Sequence, residues 1–278
     1  MMLGLPVFAA VSIAAALSLP TAAMAKPPAP GAPGTLHVWA PADKHGFGTA
    51  EQLESKAWFT LRQGSLSEVY YPDLSTPAFR GLQFVVSDGK RLLQRETVDD
   101  DPKHIEPLAP GVTSRVTPLR GALAFRQVTR GSGWRLTKTW ITDPARASVL
   151  AQVRFQSLTK RPLKLYVLAD GAPGNDGNDD RGNSPNGTLV TFDDAAASAV
   201  QARPAFKATT SGYRGTASDP WADLRDGRLS GYDATEPGNV VQGAETVLDG
   251  RRKQRLTFAI GFGTDAAAAR QTASRSLA

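Results

Sequence analysis

The sequence predicts an all-β chain: a large two-sheet antiparallel β-sandwich with a short C-terminal helix. Three observations carry this reading. Apolar and polar side chains alternate with period two over many short runs. Turn-forming residues separate those runs, in a chain with 20 prolines and 26 glycines. Helical periodicity is scarce, and no repeat of fixed period appears.

The first 25 residues stand apart. "LPVFAAVSIAAALSLP" has the length of a secretory h-region and is short for a membrane span. Ala23-Met24-Ala25 fits the small-x-small cleavage rule, so residues 1–25 read as a signal peptide cleaved after Ala25. No Lys or Arg precedes the apolar run, which departs from the usual n-region. The expectation is an exported protein, periplasmic or extracellular, with no membrane span after cleavage. "KPPAPGAPG", residues 26–34, reads as an extended Pro/Gly/Ala-rich tether outside the core.

Residues 35–263 carry the strand signals. "WFTL", "LSEVYY" and "LQFVVS" come first, then "ALAFRQV" and "WRLTKTWIT", the last with Trp134 and Trp140. In "SVLAQVRFQS", Val149, Ala151, Val153 and Phe155 share one face, while Gln152, Arg154 and Gln156 share the other. "LKLYVL", "GTLVTF" and "NVVQGAETVL" follow. In "QRLTFAIGFG", Leu256, Phe258, Ile260 and Phe262 alternate with Thr257, Ala259 and Gly261. Turns are marked at Asp88-Gly89, "RGSG" before Trp134, Asp143-Pro144, Asn186-Gly187 and Asp249-Gly250. "AETVLDGRRKQRLTF" therefore reads as a hairpin closed by Asp249-Gly250. Residues 264–278 read as a helix, with Thr264 as N-cap and Asp265 in the first turn against the helix dipole.

Composition narrows the chemistry. There is no cysteine, which excludes thiol catalysis, zinc-cysteine sites and disulfide staples. The formal charge is +6, but Lys and Arg are scattered rather than gathered into a stripe, so nucleic acid is not an expected partner. Residues 170–187, "DGAPGNDGNDDRGNSPNG", form a long loop rich in Gly, Asn and Asp. Within it Asp176, Asn178 and Asp180 have the i, i+2, i+4 spacing of calcium ligands. The pattern breaks at Arg181, where a calcium loop needs glycine, and at Gly187, where it needs glutamate. No cofactor is expected beyond calcium at this loop.

Catalytic signatures are thin. His37, His45 and His104 are far apart, and no G-x-S-x-G occurs. Glu68, Asp73, Glu96, Asp99, Asp100 and Asp101 are the acids that a glycosidase pair would draw on, yet spacing alone does not establish their geometry. Aromatic rings with polar handles suit the C–H faces and hydroxyl rims of sugars. Tyr70, Tyr71, Trp221 and Tyr232 lie near strand ends or loops and are the candidate carbohydrate contacts. Alternation requires one of Tyr70 and Tyr71 to point inward.

"KAWFTLRQGSLSEVYYPDLSTPAFRGLQFVVSDG" resembles the start of the N-terminal domain of bacterial glucoamylases and glucodextranases, glycoside hydrolase family 15. The likeness continues through "RETVDDD", "TKTWITDPARASVLAQVRF", "KLYVLADGAPGNDGNDDRG" and "SDPWADLRDGRLSGYDATEPGNVVQGAE". The resemblance implies a supersandwich akin to galactose-mutarotase-like domains. It also implies a partner: hydrolysis in this family occurs in a following (α/α)6 barrel, where two glutamates act as acid and base. Those glutamates map to no position here, so no catalytic residue is assigned, and the helix at 264–278 is expected to lead toward that barrel.

The expected function is thus an exported, non-catalytic accessory domain that supports a catalytic barrel or binds α-glucan. Two alternatives stand beside it. One is a stand-alone sugar enzyme of mutarotase-like fold, with Glu68 or Glu96 paired with His104. The other is a structural cell-surface sandwich.

Overall fold

The computed structural model describes residues 25–98, 108–247 and 252–278. The expected signal peptide, His104 and the Asp249-Gly250 turn lie outside them.

Two antiparallel sheets face each other. The first, of eight strands, runs β1 (Gly46–Gly48), β2 (Trp58–Leu61), β3 (Leu66–Tyr70), β4 (Pro77–Ser87), β10 (Lys164–Gly171), β16 (Val240–Glu245) and β14 (Ala208–Tyr213). β5 (Leu92–Arg95) pairs with β4 off this path. The second, of nine strands, runs β15 (Ala234–Gly238), β11 (Asp180–Asn183), β12 (Leu189–Phe192), β13 (Ala197–Arg203), β17 (Lys253–Gly263), β9 (Ser148–Ser157), β8 (Trp134–Thr142), β7 (Phe125–Gly131) and β6 (Thr113–Pro118). Two α-helices complete the described residues, α1 (Pro220–Asp223) and α2 (Ala266–Ser276).

The period-two pattern dictates the core. Val149, Ala151, Val153 and Phe155 of β9 point inward with Leu256, Phe258, Ile260 and Phe262 of β17. They meet Phe79, Leu82, Phe84 and Val86 of β4 and Leu165, Val167 and Ala169 of β10. Both faces were readable because each strand buries one side against the facing sheet.

Polar residues share this interior, Lys138 among them. Lys138 of β8 has the inward phase of Trp134, Leu136 and Trp140, and it is fully buried. Its Nζ lies 2.6 Å from Glu96 Oε1 and donates to Gly64 O at 2.7 Å. Glu96 Oε2 in turn accepts from Phe84 N at 2.9 Å. Burial raises the Glu96 carboxyl and lowers the Lys138 ammonium, and each partner's charge opposes the other's shift.

Several expectations are corrected. β16 and β17 do not pair as the expected hairpin: β16 pairs with β10 and β14, whereas β17 pairs with β9 and β13 in the other sheet. Turn chemistry and alternation are local signals, while strand partnership is not. Residues 26–34 are not a free tether. Pro28 bridges to Asp233, Ala29 N donates to Asp233 O at 2.8 Å, and Asn239 N donates to Pro33 O at 2.8 Å. Lys26 Nζ donates to Ser184 Oγ at 2.6 Å and Thr209 O at 2.6 Å. The long loop 170–187 contains β11 and two 3-10 turns, Pro173–Asn175 and Pro185–Gly187.

The C-terminal helix caps differently from the expectation. Asp265, not Thr264, is its N-cap, accepting from Ala267 N and Ala268 N. Ala269 and Ala273 are buried against Val190, Ala197, Ala199 and Ala259, on the outer face of the nine-stranded sheet. The approach is close because β17 offers Gly261 there. A Cβ on Gly261 would stand 2.3 Å from Ala273 N and 2.7 Å from Ala269 O.

Candidate functional site

A cleft of about 340 Å³ lies over the outer face of the eight-stranded sheet. Its floor follows from alternation. On β4 and β10, Gly81, Gln83, Leu168 and Asp170 face away from the core residues Leu82, Phe84, Val167 and Ala169. Its wall is α1 with the loop before it, where Asp219 is the N-cap and accepts from Trp221 N at 2.8 Å. Pro220 fixes the first turn, and Leu224 anchors the segment against Val85 and Tyr166.

Charge is concentrated in this cleft. Asp170 Oδ2 lies 2.8 Å from Arg214 Nη1 and 3.4 Å from Arg80 Nη1. Across from them, the Arg95 guanidinium stands 4.2 Å from the centre of the Trp221 ring. That stack joins a flat apolar surface to fixed N–H donors. Arg80, Arg95, Arg214 and Asp170 surround it with donors and acceptors. The arrangement can grip a polyhydroxylated ring, by C–H contact and hydroxyl bonding together.

The four aromatic candidates do not converge. Trp221 lines the cleft. Tyr71 stacks on Phe262 at 5.4 Å, so it is the inward member of its pair and part of the scaffold. Tyr70 donates from its hydroxyl to Glu68 Oε2 at 3.0 Å, and burial, then Glu68's charge, pushes its phenol up to about 12. Tyr232 is half-buried beside β14, where its backbone N donates to Thr210 Oγ1 at 3.0 Å.

Asp99, Asp100 and Asp101 lie outside the described residues, and Glu96 and Glu68 are occupied elsewhere. Glu96 is sealed in the core with Lys138. Glu68 is the extra residue of a bulge on β3, at φ +56°, and ion-pairs with Lys44 at 2.9 Å. In the cleft, Asp170 is held by two arginines, and Asp219 caps α1 while accepting from Gly215 N at 2.8 Å. Neither of these carboxylates was singled out from sequence. Asp170 could have been, because it continues the outward phase of Tyr166 and Leu168 on β10.

The aspartate-rich loop arranges its side chains in two groups. Asp176 Oδ1 accepts from Asn178 N at 2.9 Å and Asn178 Nδ2 at 3.0 Å, and Asn178 Oδ1 accepts from His37 N at 2.8 Å. Asp180 instead gathers with Asp179 and Asp193. It is 0% exposed, and burial, together with the charges of Asp193 and Asp179, pushes its carboxyl up to about 10.

The model of the family described as glucodextranase, domain N, matches residues 29–278. The chain belongs to this family. As a domain-N member it is 29% identical over 239 residues to a glucoamylase of Clostridium sp. (strain G0005), covering 83% of this chain and 32% of that protein. The crystal structure of a bacterial glucoamylase complexed with acarbose matches it with a TM-score of 0.80 at 28% identity, over 91% of this chain and 37% of that one. The domain-N chain thus spans about a third of the length of the relatives it matches. The family resemblance and the two-sheet sandwich read from the sequence both hold.

Proposed function

We propose that this chain is an exported, non-catalytic accessory domain of a glucoamylase-type glucan 1,4-α-glucosidase system. It packs against a catalytic (α/α)6 barrel and contacts α-glucan at the Trp221 cleft. The match of residues 29–278 to domain N carries this reading. The Arg95–Trp221 stack supports the glucan contact, since it supplies a flat ring face with donors beside it. Leu36, Val38 and Trp39 are 81%, 46% and 38% exposed within one short segment, which suits packing against a partner domain. The apolar run ahead of Ala25 supports export.

The accessory role also accords with the state of the acids. An inverting glycosidase needs one carboxyl free to give a proton and a second free to activate water. Asp170 and Asp219 are both committed to holding the cleft walls. The test is calorimetric titration of the chain with maltooligosaccharides. The expected result is weak binding that falls at least about tenfold in Trp221→Ala, a loss of about 1.4 kcal/mol. Equal affinity in the two proteins removes the cleft from the account.

A further inference from the structure

Asp180 opens β11 on the face it shares with Gly182, and that face looks into the molecule: a Cβ on Gly182 would meet Val240, Gln242 and Ser211. The Asp180 carboxylate is 0% exposed, and neither of its oxygens has a hydrogen-bond partner. A carboxylate so placed lacks both water and a protein donor, which interiors tolerate only with a compensating charge.

The surroundings add negative charge instead. One oxygen from each of Asp179, Asp180 and Asp193 lies within 4.8 Å of the others. Two oxygens on opposite sides of a calcium ion, each at 2.3–2.6 Å, stand roughly 4.6–5.2 Å apart, so the three converge at the span of one coordination sphere. Among the described residues, no Lys or Arg ion-pairs with any of the three; Arg181 reaches Asp194 at 4.0 Å.

The third carboxylate is held in place. Asp193 Oδ1 accepts from Ala195 N at 2.7 Å and Ala196 N at 2.6 Å, which fixes the group. Its Oδ2 occupies the space that a side chain at position 174 would need: a Cβ there would fall 2.0 Å away. Gly174, at φ +71°, gives that oxygen room and makes the tight turn that closes the loop.

We infer that Asp179, Asp180 and Asp193 form a binding site for one divalent cation with a preference for oxygen ligands, calcium. Hard carboxylate oxygens without nitrogen or sulfur select this ion class. Exposed Asp179 leaves a side open for water ligands. The ion would tie the 170–187 loop to the β12–β13 turn, a cross-link that β11 alone does not provide.

The experiment uses the full chain, stripped with EDTA and titrated with calcium chloride by calorimetry, alongside thermal melts in EDTA and in about 1 mM calcium, the range of extracellular calcium modules. The expected result is one calcium per chain and a higher melting midpoint with calcium. Asp180→Asn should abolish the binding heat, yet melt in EDTA at or above the wild-type midpoint, because it removes the cost of burying an unpartnered carboxyl group. Should that variant fail to fold, exposed Asp179→Asn must still weaken calcium at least tenfold. The inference is overturned if wild type shows no heat and no calcium-dependent midpoint, which would leave Asp180 as a buried neutral acid. Undiminished calcium binding in a folded Asp180→Asn or Asp179→Asn would overturn it equally.

Discussion

Replacing Lys138 with methionine isolates the fully buried Lys138–Glu96 pair. Methionine keeps most of the side-chain volume but removes the ammonium. Glu96 Oε1 then loses a donor at 2.6 Å, and Gly64 O loses one at 2.7 Å. Each buried acceptor left unpaired costs about 1–3 kcal/mol, and breaking a buried ion pair on one side costs about 3–5 kcal/mol. For a domain of this size, that loss lowers the melting midpoint by roughly 6–20 °C.

The pH dependence has a definite sign. Without Lys138, burial raises the Glu96 carboxyl further, so the folded state holds its proton more tightly than the unfolded chain does. The deficit is therefore small near the unfolded glutamate value of about 4.3 and grows as pH rises above it. Thermal melts of wild type, Lys138→Met and the double variant Lys138→Met/Glu96→Gln at pH 5 and pH 8 test this. The double variant should recover much of the loss at pH 8, because no buried charge remains. A Lys138→Met deficit that is small, or equal at the two pH values, refutes the argument that the pair is charged and matched.

Three further outcomes are expected. Gly261→Ala forces the backbone of α2 off β17 and should cost about 1–3 kcal/mol, read as a lower melting midpoint; an unchanged midpoint would mean the helix is not seated there. Asp265→Ala removes two hydrogen bonds at the start of α2 and should cost about 1 kcal/mol, with helix circular dichroism reduced only slightly. N-terminal sequencing of secreted protein should begin at Lys26, and recovery of intact chain from the cytoplasm alone would count against export.

The sandwich was legible because its strands each bury one face. β9 and β17 announced their inward residues, and those residues are the core. Lys138 has the inward phase of Trp134 and Trp140 but was not singled out, and its partner Glu96 follows β5, so nothing local specifies the encounter. The same limit explains the failed hairpin. Asp249-Gly250 has good turn chemistry, but the residues after it pair with β9 and β13 rather than folding back on β16.

The candidate sites were legible only in part. Trp221 was chosen as a candidate from its residue type and loop position and lines the cleft, whereas Arg80, Arg95 and Arg214 reach that cleft from separate elements that only the fold brings together. Tyr71 looked like a site residue because it ends a strand, yet its ring completes the core against Phe262. In the acidic loop, the i, i+2, i+4 spacing suited a calcium loop of helical proteins. Here Asp180 enters a strand, so its neighbours become Asp179 and the distant Asp193.

The measurement that reaches the centre of this account is glucose release from starch and dextran by the purified chain alone. The account predicts none above a buffer control, because Asp170 and Asp219 are bound to the walls of the cleft. Steady turnover that vanishes in Asp170→Asn or Asp219→Asn would contradict it and make the sandwich itself the enzyme.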